Sequence, residues 1–248
     1  DDEAADPPIL QWTSPKSPSN ESLTPSVQGF TEEPGGTIRV YRSEDCTGDP
    51  EGEGPANAGG IFDVTVNVEE NTESTFYASV TDDSANTSAC SDPITYINDT
   101  LPPVFADHAT HFGVEPVTTT QIELLLRAAT DNFTSKEQIR YHVCYSTEPG
   151  ICADNFESKA VFEGFDADDI NVVVDELEQG KRFYFVVKAE DLAGNMSVDV
   201  VEKSAKTYGL RGAVSVAVGE AHVCAAMSER TVRCWGDNGK GQLGIGNT

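Results

Sequence analysis

The residues in this sequence best suited to chemistry are oxygen donors gathered in turn-like segments. Asp131 is followed by Asn132, Asp191 is followed four residues on by Asn195, and upstream Asp82, Asp83 and Asn86 keep the same spacing. Carboxylates and side-chain amides are hard oxygen ligands, the donor set that calcium takes. The same side chains also close turns, through Asx hydrogen bonds and tolerance of left-handed backbone. Both readings stay open here, with the turn as the simpler one. No cofactor is required by the sequence, and calcium is the one it has room for.

Nucleophilic and general acid–base catalysis have little to work with. The four histidines are His108, His111, His142 and His222. His108 and His111, in "DHATH", could contact one metal or simply lie on the surface. His142 alternates with Tyr141 and Val143 and reads as a strand residue. Neither a Gly-x-Ser-x-Gly elbow nor a phosphate-binding glycine loop occurs. Acid pairs abound, but 42 carboxylates make chance pairs inevitable. No catalytic residues are expected, and the chain is not expected to be an enzyme.

Composition narrows the partners. The 248 residues carry a formal charge of −26, which repels phosphate backbones and anionic headgroups, so nucleic acid is an unsuitable partner. No apolar run approaches a membrane span, and membrane insertion of this segment is not expected. The opening "DDEAADPP" has no basic or apolar leader region, as for a processed or internal segment. Six cysteines fall two to a segment, at Cys46 and Cys90, Cys144 and Cys152, and Cys224 and Cys234. No CxxC pair exists, and a zinc site from His222, Cys224 and Cys234 would lack a fourth ligand. Disulfides in an oxidising compartment fit better.

The elements that must position these groups are strands. Short alternating runs such as "TIRVYRS", "IFDVTVNV", "QIELLLRA" and "RFYFVVKA" are separated by Gly, Pro, Asn and Asp clusters. In "FDVTVNV" Phe62, Val64, Val66 and Val68 share one face of a half-buried antiparallel strand. "FYASVTDDSANTS" aligns with "FVVKAEDLAGNMS" at an offset of 109 residues, the size of one β-sandwich. Between them "NDTLPPVF" makes a stiff extended linker. The expected fold is all-β: a linker over 1–6, antiparallel sandwiches over 7–100 and 101–208, and a separate unit over 209–248.

Residues 7–100 resemble bacterial immunoglobulin-like repeats of secreted and surface proteins, through "PGGTIRVYRSEDCTGDP", "GGIFDVTVNV" and "TFYASVTDDSANTSACSDPITYINDTLPP". The resemblance implies a Cys46–Cys90 disulfide. Residues 101–208 resemble a fibronectin type III domain, through "AATDNFTSKEQIRYHVCYST", "DELEQGKRFYFVVKAEDLAGN" and "MSVDVV". That family's corner tyrosine is replaced by Phe183, which implies loss of one hydrogen bond, worth about 1 kcal/mol. Cys144 and Cys152 flank a Pro149-Gly150 turn signal and suit a local hairpin disulfide. In such a sandwich the loops holding Asp131-Asn132 and Asp191/Asn195 emerge at one end, where a calcium ion could be shared.

From Gly209 the pattern changes. "AVSVAVGEAHVCAAMSERTVRCWGDNGKGQLGIG" resembles a regulator of chromosome condensation repeat, the unit of a β-propeller, on Gly219, His222, Cys224-Ala225, Val232, Cys234-Trp235-Gly236, Asn238 and Gly241-Gln242-Leu243-Gly244. A turn centred on Glu229 would place Cys224 opposite Cys234, close enough for a disulfide. Trp235 and Leu243 would supply core bulk. Such repeats work in rings, so this reads as the first, incomplete blade of a longer array. Together the resemblances imply a non-enzymatic, secreted or bacterial cell-surface protein, a sandwich stalk presenting a propeller to a protein or glycan. The alternatives are accessory modules of a secreted enzyme and, less compatible with the charge and cysteines, a guanine-nucleotide exchange factor. The five Asn-x-Ser/Thr sequons at Asn20, Asn86, Asn98, Asn132 and Asn195 are consistent with chance in such a composition.

Overall fold

The computed structural model describes residues 5–209, 212–228 and 230–246, which form three successive all-β units. The first contains β1 (Ile9–Ser14), β2 (Ser26–Phe30), β3 (Thr37–Tyr41), β4 (Gly52–Pro55), β5 (Ile61–Thr65), β6 (Glu73–Thr81) and β7 (Ile94–Ile97). They make two antiparallel sheets, ordered β1-β2-β5 and β4-β3-β6-β7. The alternation in "FDVTVNV" buries Phe62, Val64, Val66 and Val68 against Ile38, Val40, Phe76 and Val80 of the facing sheet. Gly52 lets β4 pass close to β5, because a β-carbon there would strike the Thr65 carbonyl. Ala5 is buried in the same core, so packed structure starts ahead of Pro7, inside the stretch read as linker. Residues 1–4 lie outside the described ones.

The second unit contains β8 (Val104–Phe105), α1 (His108–His111), β9 (Gly113–Pro116), β10 (Ile122–Arg127), β11 (Ala129–Thr130), β12 (Arg140–Ser146), α2 (Ile151–Asp154), β13 (Ala160–Phe162), β14 (Asp169–Val174), β15 (Arg182–Glu190) and β16 (Lys203–Lys206). Its sheets run β14-β10-β9 and β13-β12-β15-β16, with β8 and β11 forming a small separate pair. Leaving that pair aside, the strand order repeats the first sandwich. In a constant-type immunoglobulin domain the fourth strand lies beside the fifth. Here the fourth strand joins the third in both units, β4 on β3 and β13 on β12. The expected contrast between an immunoglobulin-like and a fibronectin-like unit is therefore absent from the strand order. The 109-residue offset seen in the sequence relates β6 to β15 end for end.

Cys46–Cys90 and Cys144–Cys152 are disulfides. The second does not close a plain hairpin. Gly150, at φ 82°, starts the one-turn helix α2, which carries Cys152 back onto Cys144, Val186 and Phe156. Phe183 fills the core edge against Tyr145, with ring centroids 6.1 Å apart, and Tyr184 points to the other face.

The third unit is a meander of β17 (Ala213–Val218), β18 (His222–Met227) and β19 (Val232–Gly236). Ala225 faces Arg233 and Cys224 faces Cys234, to which it is disulfide-bonded. The Met227 N–H donates to the Thr231 carbonyl at 2.8 Å, while the expected turn centre Glu229 lies outside the described residues. Among the described residues of this unit only Ala225 is buried. Trp235, expected to supply core bulk, is 53% exposed, and Val214, Val216, Val218 and Val232 are exposed as well. Three strands make a face but offer nothing to cover it. Among the described residues no helix is long and apolar enough to cross a membrane.

Candidate metal centre at the sandwich junction

The linker residues Asn98–Leu101 are pinned on both sides by turn chemistry. Toward the first sandwich, the Asn98 amide donates to the Ser19 and Ser22 carbonyls and accepts the Asn71 N–H at 3.0 Å. Asn71 in turn accepts the Thr100 N–H at 2.8 Å. Toward the second sandwich, Asn195 Nδ2 donates to the Asp99 carbonyl at 2.9 Å and Asn132 Nδ2 donates to Asp99 Oδ1 at 3.3 Å. Asn20 closes the ring, donating to Asn195 Oδ1 at 2.8 Å.

Three carboxylates meet inside this ring. One oxygen from each of Asp99, Asp131 and Asp191 lies within 4.8 Å of those from the other two. Each acid uses Oδ1 to hold its own loop. Asp99 Oδ1 accepts the Leu101 N–H, Asp131 Oδ1 the Phe133 and Thr134 N–H groups, and Asp191 Oδ1 the Asn195 N–H. The second oxygens are the informative ones. Oδ2 of Asp99 and Oδ2 of Asp131 are buried without any partner, and Asp191 Oδ2 has only the Asn195 amide at 2.8 Å. Asp99 and Asp191 are both wholly buried.

Such a cluster opposes ionisation. Burial, then the charge of Asp131, then that of Asp191 raise the Asp99 carboxyl above the ordinary carboxylate range. Burial likewise raises Asp191, against the pull of its Asn195 hydrogen bonds. Two unit charges within 4.8 Å of each other repel by at least about 3 kcal/mol at an effective dielectric near 20. Among the described residues, no ion pair reaches any of the three acids.

The expected ligands Asp131, Asp191 and Asn195 thus come together, and Asp99 joins them without having been singled out. Its signal was positional: a chain entering the second sandwich must pass the pole where the loops after β11 and β15 emerge. Asp82, Asp83 and Asn86 are not part of this cluster. Asp82 accepts the Ser84 and Asn86 N–H groups and the Asn86 amide, a turn closed on itself, which lowers its pKa through the Asn86 hydrogen bond first.

The histidines separate. His108 is buried, stacked on Phe105 at 4.1 Å with both ring nitrogens unpartnered, whereas His111 is exposed on the same short helix. His142 bridges Ser158 (Nδ1 to Oγ, 3.1 Å) and Glu190 (Nε2 to Oε2, 2.6 Å), an order of groups resembling a hydrolytic triad. Its surroundings are those of a strand ladder. The Ser158 hydroxyl donates to the Ala160 carbonyl, the Lys159 N–H is taken by Val143, and Glu190 also pairs with Arg140.

In the third unit the motif residues act locally. Gly219 is small because a β-carbon would collide with the His222 ring, and Gly236, at φ 116°, would meet the Ala221 carbonyl. Asn238 Oδ1 accepts the Leu243 N–H at 3.0 Å, and Gln242 Nε2 donates to Asp237 Oδ2 at 2.8 Å. Gly241 and Gly244 take positive φ in the closing turns, with the Gly244 N–H donating to the Gly241 carbonyl.

No curated protein matches the chain. Among solved structures it is similar to the chicken CNTN1 FN1-FN3 domains, with 10% identity and a TM-score of 0.42, over 83% of this chain and 70% of that one. It is also similar to the human OSCAR ligand-binding domain, with 7% identity and a TM-score of 0.40, over 80% of this chain and 99% of that one. Residues 213–242 match the family described as regulator of chromosome condensation (RCC1) repeat.

Proposed function

We propose that this chain belongs to a non-enzymatic modular protein of the bacterial cell surface or its surroundings. Its two sandwiches act as a spacer, and the RCC1-type unit contributes to a binding face for a protein or glycan. The observation that carries this reading is the pinned junction. Asn98–Leu101 is hydrogen-bonded to both sandwiches, each of which holds its own disulfide. Fixed spacing is useful to a presenter of ligands, because a stiff connection limits the conformations lost on binding. The exposed valines and Trp235 of the third unit are the kind of surface a repeat covers with its neighbours or offers to a ligand.

Probing glycan and extracellular-protein arrays with the labelled chain under oxidising conditions tests the proposal. A ligand retained by the whole chain and lost when 213–242 is deleted is the expected result. Turnover of a panel of glycosidic, ester and peptide substrates by the purified chain would overturn it in favour of an enzyme.

A further inference from the structure

We propose that Asp99, Asp131 and Asp191 bind one calcium ion at the junction, and that this ion locks the two sandwiches together. The three acids come from three places: the linker, the loop after β11 and the loop after β15. Their buried Oδ2 atoms on Asp99 and Asp131 have no partner, although unpaired buried acceptors are scarce in folded proteins. A divalent cation supplies the missing interaction to both at once.

Donor type selects the class of cation. Every polar group at the site is an oxygen or an amide; no histidine or cysteine belongs to the cluster. That argues against zinc and copper and for a hard cation. Magnesium demands near-ideal octahedral geometry and dehydrates reluctantly, whereas calcium accepts irregular shells of carboxylate and carbonyl oxygens. Three oxygens within 4.8 Å of one another are close enough to share one ion. A cleft of about 340 Å³ lined by Leu101, Pro102, Val104, Thr130, Asp131 and Asn132 opens beside Asp131.

The inference is independent of what the RCC1-type unit binds. Its test is calorimetric titration of the chelator-treated whole chain with calcium chloride, together with thermal unfolding in chelator and in millimolar calcium. One calcium per chain and a rise in the unfolding temperature are expected. D99N and D131N should weaken binding at least tenfold, and D82N should leave it unchanged. Asn at 99 or 131 keeps the Oδ1 acceptor that holds the loop, so retained circular dichroism and unfolding cooperativity confirm that these variants still fold. Magnesium chloride should bind at least tenfold more weakly. In ¹⁵N relaxation the two sandwiches should tumble as one body with calcium and more independently without it. Absence of both heat and thermal shift up to 5 mM calcium overturns the site; calcium binding that survives D99N and D131N together overturns its location. Identical relaxation with and without calcium overturns the lock.

Discussion

Asp82 and Asp191 stand 109 residues apart in sequence and at the same place in the two sandwiches, yet their carboxyls are pushed in opposite directions. Both accept the backbone N–H and the side-chain amide of an asparagine four residues on. Asp82 stays in contact with solvent and is held below the ordinary carboxylate range by those hydrogen bonds. Asp191 is wholly buried under the linker, so desolvation outweighs the same bonds and raises it. One local motif thus becomes a turn in one unit and part of a charged cluster in the other. The difference is what the chain lays over it.

A pH dependence follows for the junction without added cation. Asp99 and Asp191 have raised folded-state values, so an unfolded chain gives up these protons at lower pH than the folded one. Their contribution to stability is fully present below about pH 3.8, the unfolded value, and is lost as pH rises through the raised folded values. Asp131 faces both groups, and each faces the other. D99N, which retains the Oδ1 acceptor and changes the partnerless Oδ2, should therefore unfold at a higher temperature than the parent at pH 7 in chelator. A gain of about 1–3 kcal/mol is expected from removing an unpaired buried charge. Near pH 3 the two proteins should converge. Parallel melting curves across that range would show that the cluster carries no such penalty.

His108 predicts a dependence of the opposite sense. Burial lowers its pKa, opposed by nearby Asp199 and reinforced by Lys203, and neither ring nitrogen has a partner. Below about pH 6.5 the unfolded chain takes up a proton that the folded one resists, so stability falls as pH drops. His108→Phe keeps a ring against Phe105 and Phe112 and removes the titration. Chemical denaturation should find it more stable than the parent at pH 5 and close to it at pH 8. A constant difference at both values would point to packing alone.

The disulfides should rank by the loops they close. Cys46–Cys90 spans 44 residues and Cys144–Cys152 spans 8. On the chain-entropy estimate their removal destabilises by about 4 and about 2.5 kcal/mol respectively. Paired Cys→Ser variants, followed by urea unfolding of each sandwich, test the order. The small cluster of Cys144, Cys152, Val186 and Phe156 adds a packing loss to the second, so near-equal losses would mean that packing dominates there.

Much of this architecture could be read directly. Phe62, Val64, Val66 and Val68 show their buried face through alternation, and the offset of 109 between Phe76 and Phe185 relates two strands with matching ends. The Cys224–Cys234 register followed from counting outward from a turn. What could not be read depended on partners distant in sequence. Asp99 looks like an ordinary linker residue until the loops at Asp131 and Asp191 close on it. The fourth strand's pairing with the third is set by contacts distant in sequence, in one unit with Gly52 passing close to β5 and in the other with no glycine in β13. Trp235 has the right residue type for a core, but a burial pattern needs a covering layer, and the described residues supply none.

The sequons give a further test, because four of the five asparagines are structural at the junction. Asn20, Asn132 and Asn195 hydrogen-bond across it, and Asn98, 1% exposed, donates into the loop at Ser19 and Ser22. A glycan on Asn98 needs the junction open, so material made in a eukaryotic secretory pathway should carry none there. Asn86 lies half-buried in its own turn, away from the junction, with its amide donating to Asp82 Oδ2 at 3.0 Å. Glycopeptide mapping decides this, and appreciable occupancy at Asn98 would mean that the junction closes late or loosely.

The third unit should be the first to open. β17 is exposed along its whole length, and Ala225 is the buried residue among the described ones of the meander, so few apolar contacts oppose local unfolding. Its ladder is held by the Cys224–Cys234 bond and by backbone pairing. The cores of the two sandwiches, by contrast, bury Phe76, Ala78 and Val80 of β6, Tyr141 and Val143 of β12, and Phe183, Phe185, Val187 and Ala189 of β15. Native-state amide exchange should therefore protect β12 and β15 near the global limit and β17–β19 far less, by about a hundredfold or more. Reducing Cys224–Cys234 should erase what protection remains around Val232–Gly236. Strong protection of that strand in the intact chain would require a packing partner for Trp235, and the natural place to look would be the face carrying Val214, Val216 and Val218.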